Sequence, residues 1–285
     1  MWTQVRFGGD QGIYGVVEKA EQSSGPQPLV ISFAGLGQAM SEKNYLFSNM
    51  RKRMAEYGQW FVQFDYRGYG DSYGELGDAS LTSMLEDARD VLEQVTSVEQ
   101  PSKIYLVGNA LGAIIAQELA LWWEEKKNIP CLPILISPPL QMLPHSTEIF
   151  AADDLARIAA EGKIDSQQLV PGYDYYTLSD FRPDQYEYVT RLGAHLLYLH
   201  GQCVGKKMIE QLDQLDPAEL FRKSGRICPL ICGENDELTI QLAEQLGVFH
   251  LHLLSGVTYY HQHPAAMDQL IAIVQSIVRE DLKSC

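Results

Sequence analysis

The 285-residue chain is short of positive charge. Lys and Arg number 22 against 37 Asp and Glu, leaving a formal charge of −15 at pH 7. Phosphate backbones and anionic lipid surfaces are held by clustered cations, so nucleic acid is not expected as a partner. Long apolar runs are also missing, and no stretch approaches the roughly 20 residues of a membrane span. The opening Met1-Trp2-Thr3-Gln4-Val5-Arg6 is not a basic segment leading into an apolar one, so no secretory signal is read and the cytoplasm is the expected location. Cysteine is scarce and odd in number: Cys131, Cys203, Cys228, Cys232 and Cys285 are scattered, which favours reduced thiols over a disulfide framework. Cys228 and Cys232 have a spacing that a metal or redox pair could use. Between them, however, Pro229-Leu230-Ile231 reads as a buried strand, so they are assigned to the core. No metal and no cofactor is expected, and no internal repeat or low-complexity tract appears.

What the chain does contain is alternation. Val5 to Phe7 and Ile13 to Glu18, joined at Gly8-Gly9-Asp10-Gln11-Gly12, read as a hairpin, and a Ser/Gly/Pro linker follows at Ser23 to Pro28. Short, nearly continuous apolar runs then recur at Leu29 to Phe33, Trp60 to Phe64, Ile104 to Val107, Leu132 to Ile136, Ile227 to Cys232 and Val248 to Leu254. Helix-compatible stretches separate them at Tyr45 to Tyr57, Leu81 to Val95, Ala113 to Glu124, Leu238 to Leu246 and Ala265 to Leu282. In the last, Met267, Leu270, Ile271, Val274, Ile277 and Val278 form one apolar stripe. Nearly continuous apolar strands separated by helices predict an α/β fold with a mostly parallel, doubly wound sheet covered on both faces. The alternation breaks between about Pro144 and Phe221, where helical pieces at Asp153 to Glu161 and Asp184 to His195 flank Tyr173-Asp174-Tyr175-Tyr176. A helical cap over the strand ends is expected there, giving core 1–143, cap 144–221 and core 222–285 within one domain.

Chemistry concentrates in the strand-end turns. Leu29 to Phe33 leads into Ala34-Gly35-Leu36-Gly37, and Trp60 to Phe64 into Asp65-Tyr66-Arg67-Gly68-Tyr69-Gly70-Asp71-Ser72. After Ile104 to Val107 comes Gly108-Asn109-Ala110-Leu111-Gly112, a G-x-S-x-G turn with alanine at its centre. Taken in this order, the turns resemble those of the α/β-hydrolase superfamily, and the resemblance runs from the first hairpin to the last helix. It implies the hydrolase-type sheet, a nucleophile elbow centred on Ala110, and an oxyanion hole made by the backbone N–H groups of Leu36 and Leu111. Ala34 stands where the family usually has histidine, although the chemistry needs only a backbone donor. The Asp65 loop is expected to be architectural, with Asp65 and Arg67 able to pair.

The resemblance also implies an acid and a histidine. Gly233-Glu234-Asn235-Asp236-Glu237 looks like the family's acid turn and makes Asp236 the candidate orienting carboxylate, while an N-cap for the helix from Leu238 is the plainer role open to it. In Ser255-Gly256-Val257-Thr258-Tyr259-Tyr260-His261-Gln262-His263-Pro264 the histidine position falls on Tyr259. His261 is the candidate base two residues on, with His263 behind it because Pro264 starts the last helix. His250 and His252 alternate with Phe249 and Leu251 inside a strand and are read as structural.

Three functions remain open. The first is a serine hydrolase of the esterase or thioesterase class, acting on an acyl ester or thioester of a largely apolar small molecule. Its nucleophile position holds alanine, so the chain as it stands is expected to be hydrolytically inactive, because an alanine cannot attack a carbonyl. The second is a natural non-hydrolytic member that uses Asp236, His261 or Tyr259 for proton transfer, as a lyase, isomerase or cyclase would. The third is a non-enzymatic ligand-binding or scaffold protein. Tyr173, Tyr175, Tyr176, Phe181, Tyr186 and Tyr188 offer surfaces for a hydrophobic ligand with some oxygen functions, or pack the cap onto the core.

Overall fold

The computed structural model describes residues 1–9, 12–19, 26–75, 77–126, 129–170, 182–194 and 203–283. Eight strands form one sheet: β1 (Trp2–Phe7), β2 (Ile13–Glu18), β3 (Leu29–Phe33), β4 (Trp60–Phe64), β5 (Ile104–Asn109), β6 (Cys131–Ile136), β9 (Cys228–Gly233) and β10 (Phe249–Leu254). Their spatial order is β1-β2-β4-β3-β5-β6-β9-β10, and a separate antiparallel pair joins β7 (Lys163–Asp165) to β8 (Cys203–Gly205). The hairpin β1-β2 and the β2-β4 pairing are antiparallel, and every other pairing in the large sheet is parallel. From β3 the chain steps to β4 on one side and later to β5 on the other. The carboxyl ends of β3 and β5 therefore flank a topological switch point, where open α/β sheets place their ligands.

Eleven α-helices and two short 3-10 turns (Lys43–Tyr45 and Tyr260–Gln262) complete the described elements, the α-helices being α1 (Leu46–Ala55), α2 (Leu81–Val98), α3 (Leu111–Lys126), α4 (Ser146–Ile149), α5 (Ala152–Glu161), α6 (Ser166–Leu169), α7 (Pro183–Arg191), α8 (Lys206–Gln214), α9 (Pro217–Lys223), α10 (Glu237–Leu246) and α11 (Pro264–Lys283). The period-2 geometry of the strands sends their apolar residues both ways. Leu29, Ile31 and Phe33 join one buried cluster with residues of α2 and α3, whereas Val30, Phe61 and Tyr105 join another with Phe47 and Met50 of α1 and Leu270 and Val274 of α11. The stripe on α11 thus faces the sheet: Leu270, Ile271, Val274 and Val278 are buried, with Met267 and Ile277 packed at their edge. Among the described residues, no helix is long and apolar enough to cross a membrane.

Several elements differ from the sequence expectation. The helix expected to run to His195 stops at Arg191, because Gly193 turns left-handed with φ 89°. Helices α8 and α9 were not foreseen, being short and highly charged; they are held by the buried faces Met208, Ile209 and Leu212, and Leu220 and Phe221. The tyrosine-rich loop at 173–176 and Phe181 lie outside the described residues. Arg67 does not pair with Asp65 either. Its guanidinium reaches Asp87 on α2 at 2.6 and 2.8 Å, while an Asp65 carboxylate oxygen accepts the Met40 N–H at 2.6 Å. Each of the two side chains finds a longer-range partner instead.

Candidate functional site

The elbow is built as its glycines require. β5 ends at Asn109, α3 begins at Leu111, and Ala110 between them takes φ 51°, a conformation that a residue with a side chain adopts only where its surroundings hold it. A Cβ on Gly108 would sit 2.3 Å from the Gly112 carbonyl oxygen, and one on Gly112 would sit 2.1 Å from that of Phe33. Neither position admits a side chain. The Ala110 N–H donates to Ile136 O at 2.8 Å, which locks the turn to β6. Ala110 itself is only 3% exposed.

The turn at 34–37 is tied to the same place through Glu42. Its buried carboxylate accepts the Gly35 N–H at 2.7 Å and the Lys43 N–H at 3.0 Å, and it also interacts with the Asn109 side chain. Burial pushes the Glu42 carboxyl up, and these hydrogen bonds oppose the shift. The neighbouring Lys43 ammonium is pushed down to about 8 by burial, with Glu42 opposing. Glu42, Asn44 and Tyr45 all take positive φ, so this loop stores backbone strain beside the elbow.

The N–H groups of Leu36 and Leu111, the two expected as oxyanion donors, point at one acceptor. Leu36 N–H donates to the carbonyl oxygen of Leu192 at 2.9 Å, and Leu111 N–H donates to the same oxygen at 3.3 Å. Leu192 closes α7. The Gly193 N–H returns to Thr190 O at 3.0 Å and the Ala194 N–H to Val189 O at 3.0 Å, the nested pattern of a Schellman motif with its left-handed glycine. Such an end leaves its last carbonyl without an intrahelical donor, and the start of α3 leaves its first amides without an acceptor. Here the negative end of one helix satisfies the positive end of the other. Close packing accompanies the bond: a Cβ on Gly193 would lie 2.9 Å from the Ala110 Cβ and 2.9 Å from the Gly35 Cα.

Asp236 sits at the N-cap of α10 and is 2% exposed. Each carboxylate oxygen takes two donors. One receives Arg191 Nη1 at 3.1 Å and the Thr239 N–H at 3.3 Å; the other receives Thr239 Oγ1 at 2.7 Å and Arg191 Nη1 at 3.2 Å. Its charge is therefore neutralised by a guanidinium from α7. The Tyr259 hydroxyl feels both charges: burial pushes it up to about 12, Arg191 pulls it down, and Asp236 pushes it up. The His261 ring stacks on Tyr259 at 5.5 Å with an interplanar angle of 11°, and its backbone carbonyl accepts from Asn44 Nδ2 at 3.0 Å. This loop is held by Gln262, whose Oε1 accepts the N–H groups of Thr258 and Tyr259 at 2.7 and 3.1 Å.

The structure thus brings Leu36 and Leu111 to a single oxygen, with Ala110 packed against the neighbouring Gly193, and it sets Asp236 and Tyr259 around a single guanidinium. Arg191, Leu192, Thr239 and Glu42 escaped the sequence reading. Thr239, three residues after a candidate N-cap Asp, carried a legible capping signal. Arg191 and Leu192 carried none beyond the Gly193 that ends their helix.

The fold and the elbow together define an α/β-hydrolase. Within that class, the family model of serine aminopeptidase, S33, matches residues 25–223, and the chain belongs to this family. It is 27% identical over 194 residues to the lysophosphatidylserine lipase ABHD12 of Danio rerio, covering 65% of this chain and 45% of the relative, so it spans under half of that protein's length. A putative carbamate hydrolase RutD of Klebsiella pneumoniae is 27% identical over 219 residues, 75% of each chain. Among solved structures, the DcsB complex with its substrate analogue shares the fold at a TM-score of 0.70 and 15% identity, covering 98% of this chain and 99% of that one. A putative hydrolase of Agrobacterium vitis S4 does so at 0.64 and 18%, covering 98% of each.

Proposed function

We propose that this chain is a non-hydrolytic member of its family, a binding or scaffold protein in which the elbow has become a structural joint. The observation that carries this reading is the Leu192 carbonyl, which already accepts the two N–H groups an oxyanion would need. Supporting it, position 110 offers a methyl group in place of a nucleophile, and Asp236 is committed to Arg191 and Thr239. A chain that lacked only a serine hydroxyl would need none of these other arrangements. The segment 144–221 acts as the cap, and its α7 supplies both the carbonyl and the guanidinium.

The relatives' printed activities, a lipase, a carbamate hydrolase and a protein phosphatase methylesterase, all address a carbonyl carbon bearing a heteroatom. A serine hydrolase with its nucleophile at position 110 is the competing reading, favoured by the elbow geometry that Ala110 retains at φ 51°. Restoring the hydroxyl decides between them. Under our reading Ala110→Ser gives no hydrolysis of short- or long-chain p-nitrophenyl esters or acyl thioesters and no covalent label from a fluorophosphonate. Turnover or labelling above the parent chain would return the protein to the serine hydrolases.

A further inference from the structure

A cleft of about 330 Å³ opens beside the loop from Gly37 to Tyr45, and Lys43 lines it. Elsewhere lysines are spent on ion pairs: Lys19 with Glu99, Lys163 with Glu75, Lys206 with Glu210 and Lys223 with Glu219. Lys43 differs. It is 4% exposed, yet among the described residues its Nζ makes no hydrogen bond and no ion pair. The Glu42 carboxylate beside it is taken up by the N–H groups of Gly35 and Lys43. Unlike the unpartnered side-chain nitrogens of Gln38 and Trp60, which have no accessible surface, Nζ shares in the small surface that Lys43 keeps. Burial penalises its charge, so the ammonium releases its proton near about 8 with Glu42 opposing. At neutral pH Lys43 therefore carries free amine at a level on the order of a hundred times that of an ordinary lysine. Positive φ at Glu42, Asn44 and Tyr45 fixes the loop on both sides of it, and backbone strain of this kind collects where a side chain is held for use.

We propose that Lys43 is a nucleophilic amine that captures a small, neutral aldehyde in this cleft as a reversible imine. The Nζ lone pair adds to the carbonyl carbon, and the resulting carbinolamine loses water. Both hydrogens of the neutral amine leave with the carbonyl oxygen, and C=N replaces C=O. Nothing is oxidised or reduced. An aldehyde carbon is less crowded than that of a ketone, which suits an amine held in a nearly closed setting. Among the described residues, the charged groups lining the cleft are Glu42 and Lys43, which offset each other, so no charge on the ligand is favoured. A cavity of about 150 Å³ is enough to hold benzene, so the cleft has room for one ring with a short substituent. Position 110 takes no part in the lining, and capture at Lys43 depends on neither reading of the elbow.

Benzaldehyde is the probe, kept below the protein concentration and added to the full chain at neutral pH with cyanoborohydride, which reduces any imine to a stable benzylamine. Peptide mapping by tandem mass spectrometry then reads the adduct at each lysine. Lys43 is expected to carry at least about tenfold more adduct than any other lysine, because its free-amine fraction outweighs its restricted access. Lys43→Met should remove that adduct while the remaining lysines label as in the parent chain. Ala39 lines the cleft from an exposed position, so Ala39→Trp can fill the space without disturbing the core. It should lower labelling at Lys43 by about tenfold, leave the other lysines unchanged, and keep the protein folded by circular dichroism. Three results would each overturn the proposal: labelling of Lys43 no greater than that of the exposed Lys206 and Lys223, total labelling undiminished in Lys43→Met, or undiminished labelling of Lys43 in folded Ala39→Trp.

Discussion

The region around Ala110 and the region around Asp236 differ in what holds them. Around β3, β5 and α3 the backbone keeps the geometry of a hydrolase: a strained residue at φ 51°, two glycines with no room for a Cβ, and two N–H groups converging on one oxygen. Around β9, α10 and the 256–264 loop the backbone turns are also present, but their side chains make a different set of bonds. A guanidinium occupies the carboxylate, and a tyrosine feels both charges. Backbone shape is held by sterics and survives a change of chemistry. Side-chain chemistry can be replaced one residue at a time, provided every buried charge still finds a partner.

The largest effect that would test this contrast is expected at Asp236. If its role is to neutralise Arg191 and cap α10, Asp236→Ala strands a mostly buried guanidinium and should cost about 3–5 kcal/mol, lowering Tm on the order of 10 °C in a thermal melt. An Asp236 serving only to orient a base would leave Tm nearly unchanged. Next comes Gly193→Val, which forces a side chain onto Ala110 and into a left-handed turn. A loss of about 2–4 kcal/mol is expected, with faster amide exchange at Leu36 and Leu111, because the Leu192 carbonyl can no longer sit between them. Normal protection of those two amides in the variant would break the link between α7 and the elbow.

A smaller, pH-dependent effect belongs to Lys43. In the folded chain its ammonium gives up its proton near about 8, whereas in the unfolded chain it holds it to 10.5. Between these values the unfolded state binds more protons, so this group's contribution to stability rises with pH through that window. Lys43→Met should therefore raise Tm at pH 7 and flatten the rise between pH 8 and 10, as melts across that range would reveal. The smallest change is expected from Ala110→Ser, with stability altered by no more than about 1 kcal/mol in denaturant titration, since the backbone conformation is already set. A large loss there would mean that Gly193 leaves no room for an Oγ, and would sharpen the case that alanine is required.

Much of the fold was legible because its signals are local. Leu29 to Phe33 and Ile104 to Val107 are nearly continuous apolar runs, and the stripe on α11 recurs at helical spacing. The elbow was legible for the same reason, its meaning lying in five adjacent residues. Asp236 was legible in both of its possible roles, and nothing nearby in sequence could choose, because the deciding partner, Arg191, lies 45 positions away. The Leu192 carbonyl was invisible in principle: a main-chain oxygen leaves no mark in the sequence, and only tertiary packing brings it to Leu36 and Leu111. Arg67 teaches the same lesson, having found Asp87 on the next helix instead of its neighbour Asp65.

The bond between the ends of α7 and α3 also sets the terms for any visitor. A ligand oxygen reaching for Leu36 and Leu111 competes with a tethered rival, whose local concentration does not fall on dilution. Its apparent affinity is the intrinsic one scaled by the fraction of molecules in which α7 has let go. If that fraction is about one in a hundred, binding is weakened about a hundredfold before any contact is counted. Whatever loosens α7 would thereby act as an activator of the site, without touching it.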